Sequence, residues 1–334
     1  MPLASLVVPA FNVEATVAET LRSLLAQSFR DFEVLVIDDG STDRTQAVVA
    51  PFLEDSRVRY VKQANRGLAG ARNRGIEEAR APYVGFCDAD DLWAPDKLSR
   101  HIAHLESNPR LGLSYSGSAM IDENSRPIGI NQSPALKRID SAHILKRNPV
   151  GNGSAAVLRR AALQEIAFYP LGADRRASYF DETFRQSEDI ECWLRLSLTT
   201  DWDIEGIPGH LTLYRVVGDG LSAQTERQLA SWENVINKLR PLHPRFFAQH
   251  EGAARAYQYR YLARRAVSSG RGIDAMRYLR LSWAQSAEPL WAEPRKTLIT
   301  WAAAGVLRMF KANPMTAVRM LSRPADLTKG KDFQ

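Results

Sequence analysis

Tyr83-Val84-Gly85-Phe86-Cys87-Asp88-Ala89-Asp90-Asp91 is an apolar run that ends in three carboxylates within four residues. Like charges this close repel and raise one another's pKa unless a cation or strong donors hold them ionised. A bound divalent metal, Mn²⁺ or Mg²⁺, is the natural counter-charge, because Mg²⁺-like cations take few protein carboxylates and keep positions open for phosphate oxygens. Read as an extended strand, the run puts Asp88 and Asp90 on one side and Ala89 on the other. The plainer reading is helix capping, with Asp90 or Asp91 starting the helix that Pro95 and Asp96 announce. Capping needs one carboxylate and leaves two unexplained.

Working outward, the first hundred residues alternate short β-type runs with amphipathic stretches, the pattern of a parallel sheet covered by helices. Residues 3–9 read as the first strand, and the chain turns at Ala10-Phe11-Asn12 into a helix that Asn12 is suited to cap. Val13, Val17, Leu21, Leu24 and Leu25 recur at helical spacing as a core-facing stripe. Residues 32–37 form the second strand, which ends at Asp38-Asp39-Gly40. In open α/β sheets ligands bind beyond the carboxyl ends of the strands, so residues 9–12, 38–40 and 88–91 are expected to line one crevice.

The 334 residues exceed one ordinary domain, and 45% hydrophobic with 25% charged residues excludes a disordered or fibrous chain. Cys87 and Cys192 are too few for a disulfide framework and lack Cys-x-x-Cys spacing, so a reducing cytoplasm is expected and no zinc site is readable. The start of the chain runs directly into an apolar strand, so no signal peptide is expected. The longest apolar run near the C-terminus, 297–306, falls short of the roughly 20 residues a membrane span needs. Charge is uneven. Residues 1–224 carry 25 Lys and Arg against 30 Asp and Glu, a net of −5, whereas residues 225–334 carry 19 against 8, a net of +11. That split marks a boundary near 220, between a mildly acidic body and a basic helical tail suited to an anionic surface.

Four stretches occur in order over residues 3–98: Val-Val-Pro-Ala-Phe-Asn, Val-Ile-Asp-Asp-Gly-Ser-Thr-Asp, Asn-Arg-Gly-Leu-Ala-Gly-Ala-Arg-Asn-Arg-Gly and Asp-Ala-Asp-Asp-Leu-Trp-Ala-Pro-Asp-Lys-Leu. In these the chain resembles the family 2 glycosyltransferases. The resemblance implies the α/β GT-A nucleotide-sugar-binding fold, a mostly parallel sheet flanked by helices, here with an α-helical C-terminal extension. It implies a transferase domain over 1–222, with a nucleotide-binding half (1–110) and an acceptor half (111–222), followed by the basic helical region 223–334. The implied donor is a nucleotide sugar, taken as a UDP-sugar.

Carried over residue by residue, Asp39 accepts a hydrogen bond from the imide N–H of the base, with Asp38 the neighbouring candidate; an Asp-Gly turn is the plain alternative. Pro9, Ala10 and Asn12 wall the nucleoside and Glu14 lies near it, although Glu in a first helical turn also offsets the dipole. Arg66 and Arg72 lie beside the crevice, where a cation meets diphosphate, or else on a solvated helix face. Asp90 is the implied metal carboxylate of the Asp-x-Asp motif. Asp88 contacts ribose or metal-bound water, Ala89 separates the two, and Asp91 assists. A divalent cation there offsets charge on the departing diphosphate. Residues 151–158 resemble the segment that re-enters the sheet under the sugar, with Asn152 a candidate for the donor sugar and glycines permitting close approach.

Ser187-Glu188-Asp189 resembles the family's Glu-Asp motif, which implies that Asp189 is the general base and that Glu188 orients the acceptor. An alcohol attacks poorly until a positioned carboxylate takes its proton, and a single displacement then inverts the anomeric carbon. Ser187 as cap of an acidic first turn is the plain alternative. Where relatives carry a histidine after a Tyr-Arg pair, here Tyr214-Arg215, this chain has Val217-Gly218-Asp219. His101 and His104 read as exposed helix residues. The irregular stretch 168–179, with Asp174, Arg175 and Arg176, is placed to close over the site.

In the tail, Leu298, Trp301, Leu307 and Met309 lie between Arg295, Lys296, Arg308 and Lys311, a segment suited either to an anionic membrane interface or to docking on the catalytic body. The expected protein is an inverting, metal-dependent transferase acting on a glycan or lipid-linked acceptor in cell-envelope polysaccharide synthesis. It is expected in the cytoplasm, peripheral on the inner face of the membrane, with no nucleic-acid partner. The alternative is a non-catalytic nucleotide-sugar-binding or interaction protein; Asp88, Asp90 and Asp189 argue against it.

Overall fold

A computed structural model describes residues 1–170, 176–216 and 225–310. Asp174, Arg175, Val217, Gly218, Asp219 and Lys311 therefore lie outside the described residues. The chain divides into two units, Met1–Ile144 with Asn148–Leu242, and Leu145–Arg147 with His243–Gln334.

In the first unit β1 (Ala4–Ala10) leads to α1 (Val17–Leu25), β2 (Phe32–Asp38), α2 (Thr45–Val49), β3 (Val58–Lys62) and α3 (Gly67–Glu78). β1 and β2 are buried throughout, which is why they read as continuous apolar runs and not as alternating ones. α1 turns Val17, Leu21 and Leu24 into the core, with Val13 and Leu25 partly buried against it. Asn12 does not cap that helix, which starts five residues later. Instead Asn12 takes the left-handed conformation (φ 52°) and its Oδ1 accepts the Thr42 N–H at 2.9 Å, stitching the first turn to the second.

The chain continues through β4 (Tyr83–Phe86), β5 (Leu92–Trp93), α4 (Lys97–Ser107), β6 (Leu111–Ile121), β7 (Pro127–Gln132), α5 (Ser141–Lys146), β8 (Ala156–Arg159), α6 (Arg160–Glu165), α7 (Glu188–Thr199) and β9 (Asp203–Arg215). The strands form one sheet in the order β3-β2-β1-β4-β8-β6-β9-β5, with β7 on β6. Pairing is parallel from β3 to β4; β8 then runs antiparallel between β4 and β6. The carboxyl ends of β1, β2 and β4 thus lie side by side, with β8 entering beside β4.

α8 (Thr225–Leu239) belongs to the first unit, so the contact boundary falls after Leu242 and not near 222. Ser231 donates to the Gln186 carbonyl, and Lys238 donates to Asp181 (2.7 Å) and Glu191 (2.8 Å), tying α8 to the segment around α7. The second unit carries α9 (Pro244–Ser268), α10 (Gly272–Gln285), α11 (Glu288–Ala292) and α12 (Pro294–Phe310). Its interior holds Arg260, whose guanidinium donates to Glu293 and to Thr297 Oγ1. Among the described residues no helix is long and apolar enough to cross a membrane.

Candidate active site

The first turn of the site is built by Asp38 and Asp39. Asp38 is fully buried; its Oδ1 accepts the Ser41 N–H at 2.7 Å and its Oδ2 the Tyr60 hydroxyl. It holds the turn and presents no surface to a base, which corrects its candidacy. Asp39 accepts Gln63 Nε2 (2.7 Å) and the Arg66 N–H (2.8 Å) on Oδ1, and the Gly67 N–H (2.8 Å) on Oδ2. It thereby satisfies orphan amides at the start of α3. A carboxylate has about four acceptor positions, so Asp39 keeps one. Pro9 and Ala10 are buried at the end of β1, while half-buried Glu14 accepts the Arg44 N–H at 2.7 Å.

Beyond Phe86 the chain leaves the strand. The Asp91 N–H bonds the Asp88 carbonyl at 3.0 Å, a tight turn over residues 88–91 that replaces the expected extended alternation, with Ala89 buried in it. Asp88 and Asp90 remain partly exposed, whereas Asp91 is buried and its Oδ1 accepts the Arg215 N–H at 2.9 Å. Asp91 therefore anchors β9 through Oδ1, while its buried Oδ2 has no partner among the described residues. Its carboxyl is held well above the usual range by burial and by the charges of Asp90 and Asp88. Arg215 clamps the same turn, donating from Nε to the Asp90 carbonyl (2.8 Å) and from Nη2 to Glu19 (2.9 Å). Ser154 fixes it from beneath: its Oγ accepts the Asp88 N–H at 2.9 Å, and its carbonyl accepts Lys97 Nζ at 2.5 Å. Lys97 is fully buried, which pushes its ammonium down to about 7.

Burial followed by the charge of Asp88 raises the Asp90 carboxylate to about 6, against a hydrogen bond from its own backbone N–H and the charge of Arg215, which pull the other way. No cluster of three or more His, Cys, Asp or Glu side chains among the described residues is arranged around a metal position. Asp88 and Asp90 nevertheless fit an Mg²⁺- or Mn²⁺-like cation. They offer oxygen ligands only, their mutual repulsion is what a cation removes, and such ions take one or two carboxylates plus substrate oxygens. His101 and His104 are corrected from exposed to packed: Ser114 Oγ lies 2.7 Å from His101 Nδ1 and 2.9 Å from His104 Nδ1.

The second carboxylate pair stands at the start of α7. Ser187 takes a left-handed conformation (φ 63°) with no side-chain cap bond, so it turns the chain into the helix without capping it. Glu188 is buried and Asp189 partly exposed. Burial, then the charge of Glu188, raises the Asp189 carboxyl to about 7, while Arg72 pulls the other way.

α3 brings the two pairs together. Arg72 is 1% exposed; Nη1 donates to Glu188 Oε1 at 2.6 Å and Nη2 to Asp88 Oδ1 at 2.8 Å. These two carboxylates engage the terminal nitrogens of the buried guanidinium, so Arg72 does not lie on a solvated helix face, and its Nε has no partner among the described residues. Arg66 is likewise engaged, donating from Nε and Nη2 to the two oxygens of Glu182, both at 2.9 Å. Asn73 holds the backbone of the same segment through the Tyr179 and Phe180 N–H groups (3.0 and 2.9 Å). Asn152, 8% exposed, donates to Ser118 Oγ, and its Oδ1 has no partner among the described residues. Sequence reasoning passed over Asn73, Lys97 and Arg215 as site-builders, although the first two lie inside the quoted motifs and the third in the Tyr-Arg pair. Ser154 carried no separate signal, and Glu182 stood out only as part of the acidic stretch Phe180-Asp181-Glu182.

Comparison with known proteins gives the family and the fold. The family model described as Glycosyl transferase family 2 matches residues 5–167. The chain is 30% identical over 237 residues to the Escherichia coli UDP-Glc:alpha-D-GlcNAc-diphosphoundecaprenol beta-1,3-glucosyltransferase WfgD, covering 70% of this chain and 85% of that protein. It is 29% identical over 214 residues to an uncharacterized glycosyltransferase of Rickettsia conorii, covering 64% of this chain and 33% of that one, so it spans about a third of that relative's length. Among solved structures it is similar to the mannosyltransferase PcManGT from Pyrobaculum calidifontis in complex with GDP-Man and Mn²⁺. The TM-score is 0.59 at 20% identity, over 96% of this chain and 84% of that one. At that identity the likeness speaks for the fold alone, and the fold is of the GT-A type with a helical C-terminal region.

Proposed function

The chain belongs to glycosyltransferase family 2, and from that premise we propose that it is an inverting, metal-dependent transferase moving a sugar from a UDP-sugar to a hydroxyl of a lipid-linked or glycan acceptor. The observation that carries this reading is the convergence of Asp88, two residues before Asp90, with Glu188 and Asp189 around one guanidinium. A donor-side pair and an acceptor-side pair are what a single displacement needs on opposite sides of one anomeric carbon.

In this reading Asp39 and the walls at Pro9, Ala10 and Asn12 receive the nucleoside, and Asn152 Oδ1 accepts from a donor-sugar hydroxyl. Asp90, with Asp88, would hold a divalent cation, which when bound neutralises charge on the departing diphosphate. Asp189 takes the proton from the acceptor hydroxyl as that oxygen bonds to the anomeric carbon and the bond to the diphosphate oxygen breaks. A carboxyl raised to about 7 suits a base working near neutral pH.

UDP is chosen over GDP because the relative with the higher identity is named for UDP-Glc. That name also gives a diphosphoundecaprenol acceptor, which supports a lipid-linked acceptor and cell-envelope polysaccharide synthesis here. A place in the cytoplasm against the inner face of the membrane, met through the basic C-terminal region, belongs to the same proposal. The test supplies UDP-glucose, UDP-GlcNAc or GDP-mannose with a GlcNAc-diphospholipid and Mn²⁺. Transfer from a UDP-sugar with inversion of the anomeric centre is expected. Retention of configuration, or a preference for GDP-mannose, contradicts the proposal.

A further inference from the structure

We propose that Arg72 is a positioning residue whose buried guanidinium sets Asp88 and Glu188 relative to one another, and through them the donor and acceptor sides of the site. The inference rests on the transferase reading above and assigns Arg72 a role other than diphosphate binding.

The geometry is specific. Each terminal nitrogen of Arg72 serves a different carboxylate, Nη1 that of Glu188 and Nη2 that of Asp88, so the planar fork itself spans the gap. A lysine supplies one point charge and cannot occupy both ends of that span. The guanidinium is caged: its Cζ lies 5.5 Å from the centre of the Phe180 ring, and Phe180 packs edge-on to Phe86 and Trp193. On another side Gly153 leaves it room, since a Cβ there would lie 2.2 Å from Nη2. Glu188 immediately precedes the proposed base, and Asp88 is fixed a second time through its N–H by Ser154. The Nε of Arg72 has no partner among the described residues, and its two terminal nitrogens join the two motifs, so that a displacement of one is transmitted to the other.

The test compares the parent protein with Arg72→Lys and Gly153→Ala. UDP affinity is measured by calorimetry with Mn²⁺, and turnover by UDP release from UDP-glucose with a GlcNAc-diphospholipid. For Arg72→Lys, UDP affinity is expected to stay within about threefold of the parent while kcat falls about 10²-fold, the usual cost of an ångström-scale misplacement. KM for UDP-glucose should barely change. Gly153→Ala keeps the arginine but displaces its fork, and it is expected to reproduce the kcat loss with UDP affinity retained. It also guards against an Arg72 variant that fails to fold. Loss of UDP affinity in step with kcat overturns the inference and makes Arg72 a diphosphate ligand. Full kcat in Gly153→Ala and Arg72→Lys overturns it as well. A parent protein that does not bind UDP overturns the donor reading and this inference with it.

Discussion

Asp189 has its carboxyl raised to about 7 by burial and by Glu188, and the sign of the resulting pH dependence follows directly. A base must be deprotonated, so kcat is expected to rise as pH climbs through about 7 and to fall below it. Glu188→Gln removes a negative neighbour and should move that midpoint down; a profile flat from pH 6 to 8 contradicts the assignment. Asp189→Asn is expected to lower kcat by about 10² to 10⁴ while leaving UDP affinity near that of the parent. Asp90 and Asp189 stand out in the sequence because clustered carboxylates are electrostatically costly and need a reason. The fates of Asp38, Asp91 and Arg72 were not legible there. Adjacent residues in a turn or helix look equally placed in sequence, and only the packed structure shows that Asp91 is claimed by Arg215 and Asp38 by Tyr60 and Ser41. The bridge from Arg72 joins positions 16 and 116 residues distant, which no local spacing encodes.

Among the elements, α3 organises the site, since its N-cap residue Arg66 and its own Arg72 and Asn73 bind acidic and backbone partners from both carboxylate segments. Its seat on the sheet depends on Gly75, where a Cβ would lie 2.1 Å from Val7 Cγ1 of β1. Gly75→Ala is expected to cost a net of about 1 to 2 kcal/mol, the strain of overpacking less the gain in helix propensity. Urea denaturation checks this, and an unchanged midpoint would show that α3 shifts freely on β1. The strands β1, β2 and β4 were readable because parallel strands covered on both faces appear as unbroken apolar runs. Helix starts were less readable. Asn12 is a good cap by composition, but its side chain is spent on Thr42, and α1 begins where the turn ends. His101 and His104 carry polar side chains on a helix that packs on β6, and Ser114 supplies the partner that lets them lie inward.

On the scale of the whole molecule, the chain separates charge between its parts, net −5 over residues 1–224 and net +11 over 225–334. The shift in composition was legible, but the end of the first unit was not, because α8 carries Lys238, whose partners are acidic residues of that unit. In the second unit Trp283 and Trp291 are 55% and 76% exposed, and Arg295 and Lys296 are also on the surface. Binding to vesicles rich in phosphatidylglycerol is expected to weaken with added salt, and replacing both Arg295 and Lys296 by Glu should reduce it further, at about 1 kcal/mol per basic residue. Equal binding to neutral vesicles contradicts a membrane role for this region. The proposed function requires the Asp88–Asp91 turn to receive a nucleoside diphosphate together with a divalent cation. Calorimetry of UDP binding, with and without Mn²⁺, for the parent protein and Asp90→Asn tests it most directly. Binding is expected to need Mn²⁺, to strengthen above pH 6 as Asp90 gives up its proton, and to be lost in Asp90→Asn. UDP binding indifferent to both Mn²⁺ and Asp90 would contradict the metal assignment, and no UDP binding at all would contradict the donor assignment.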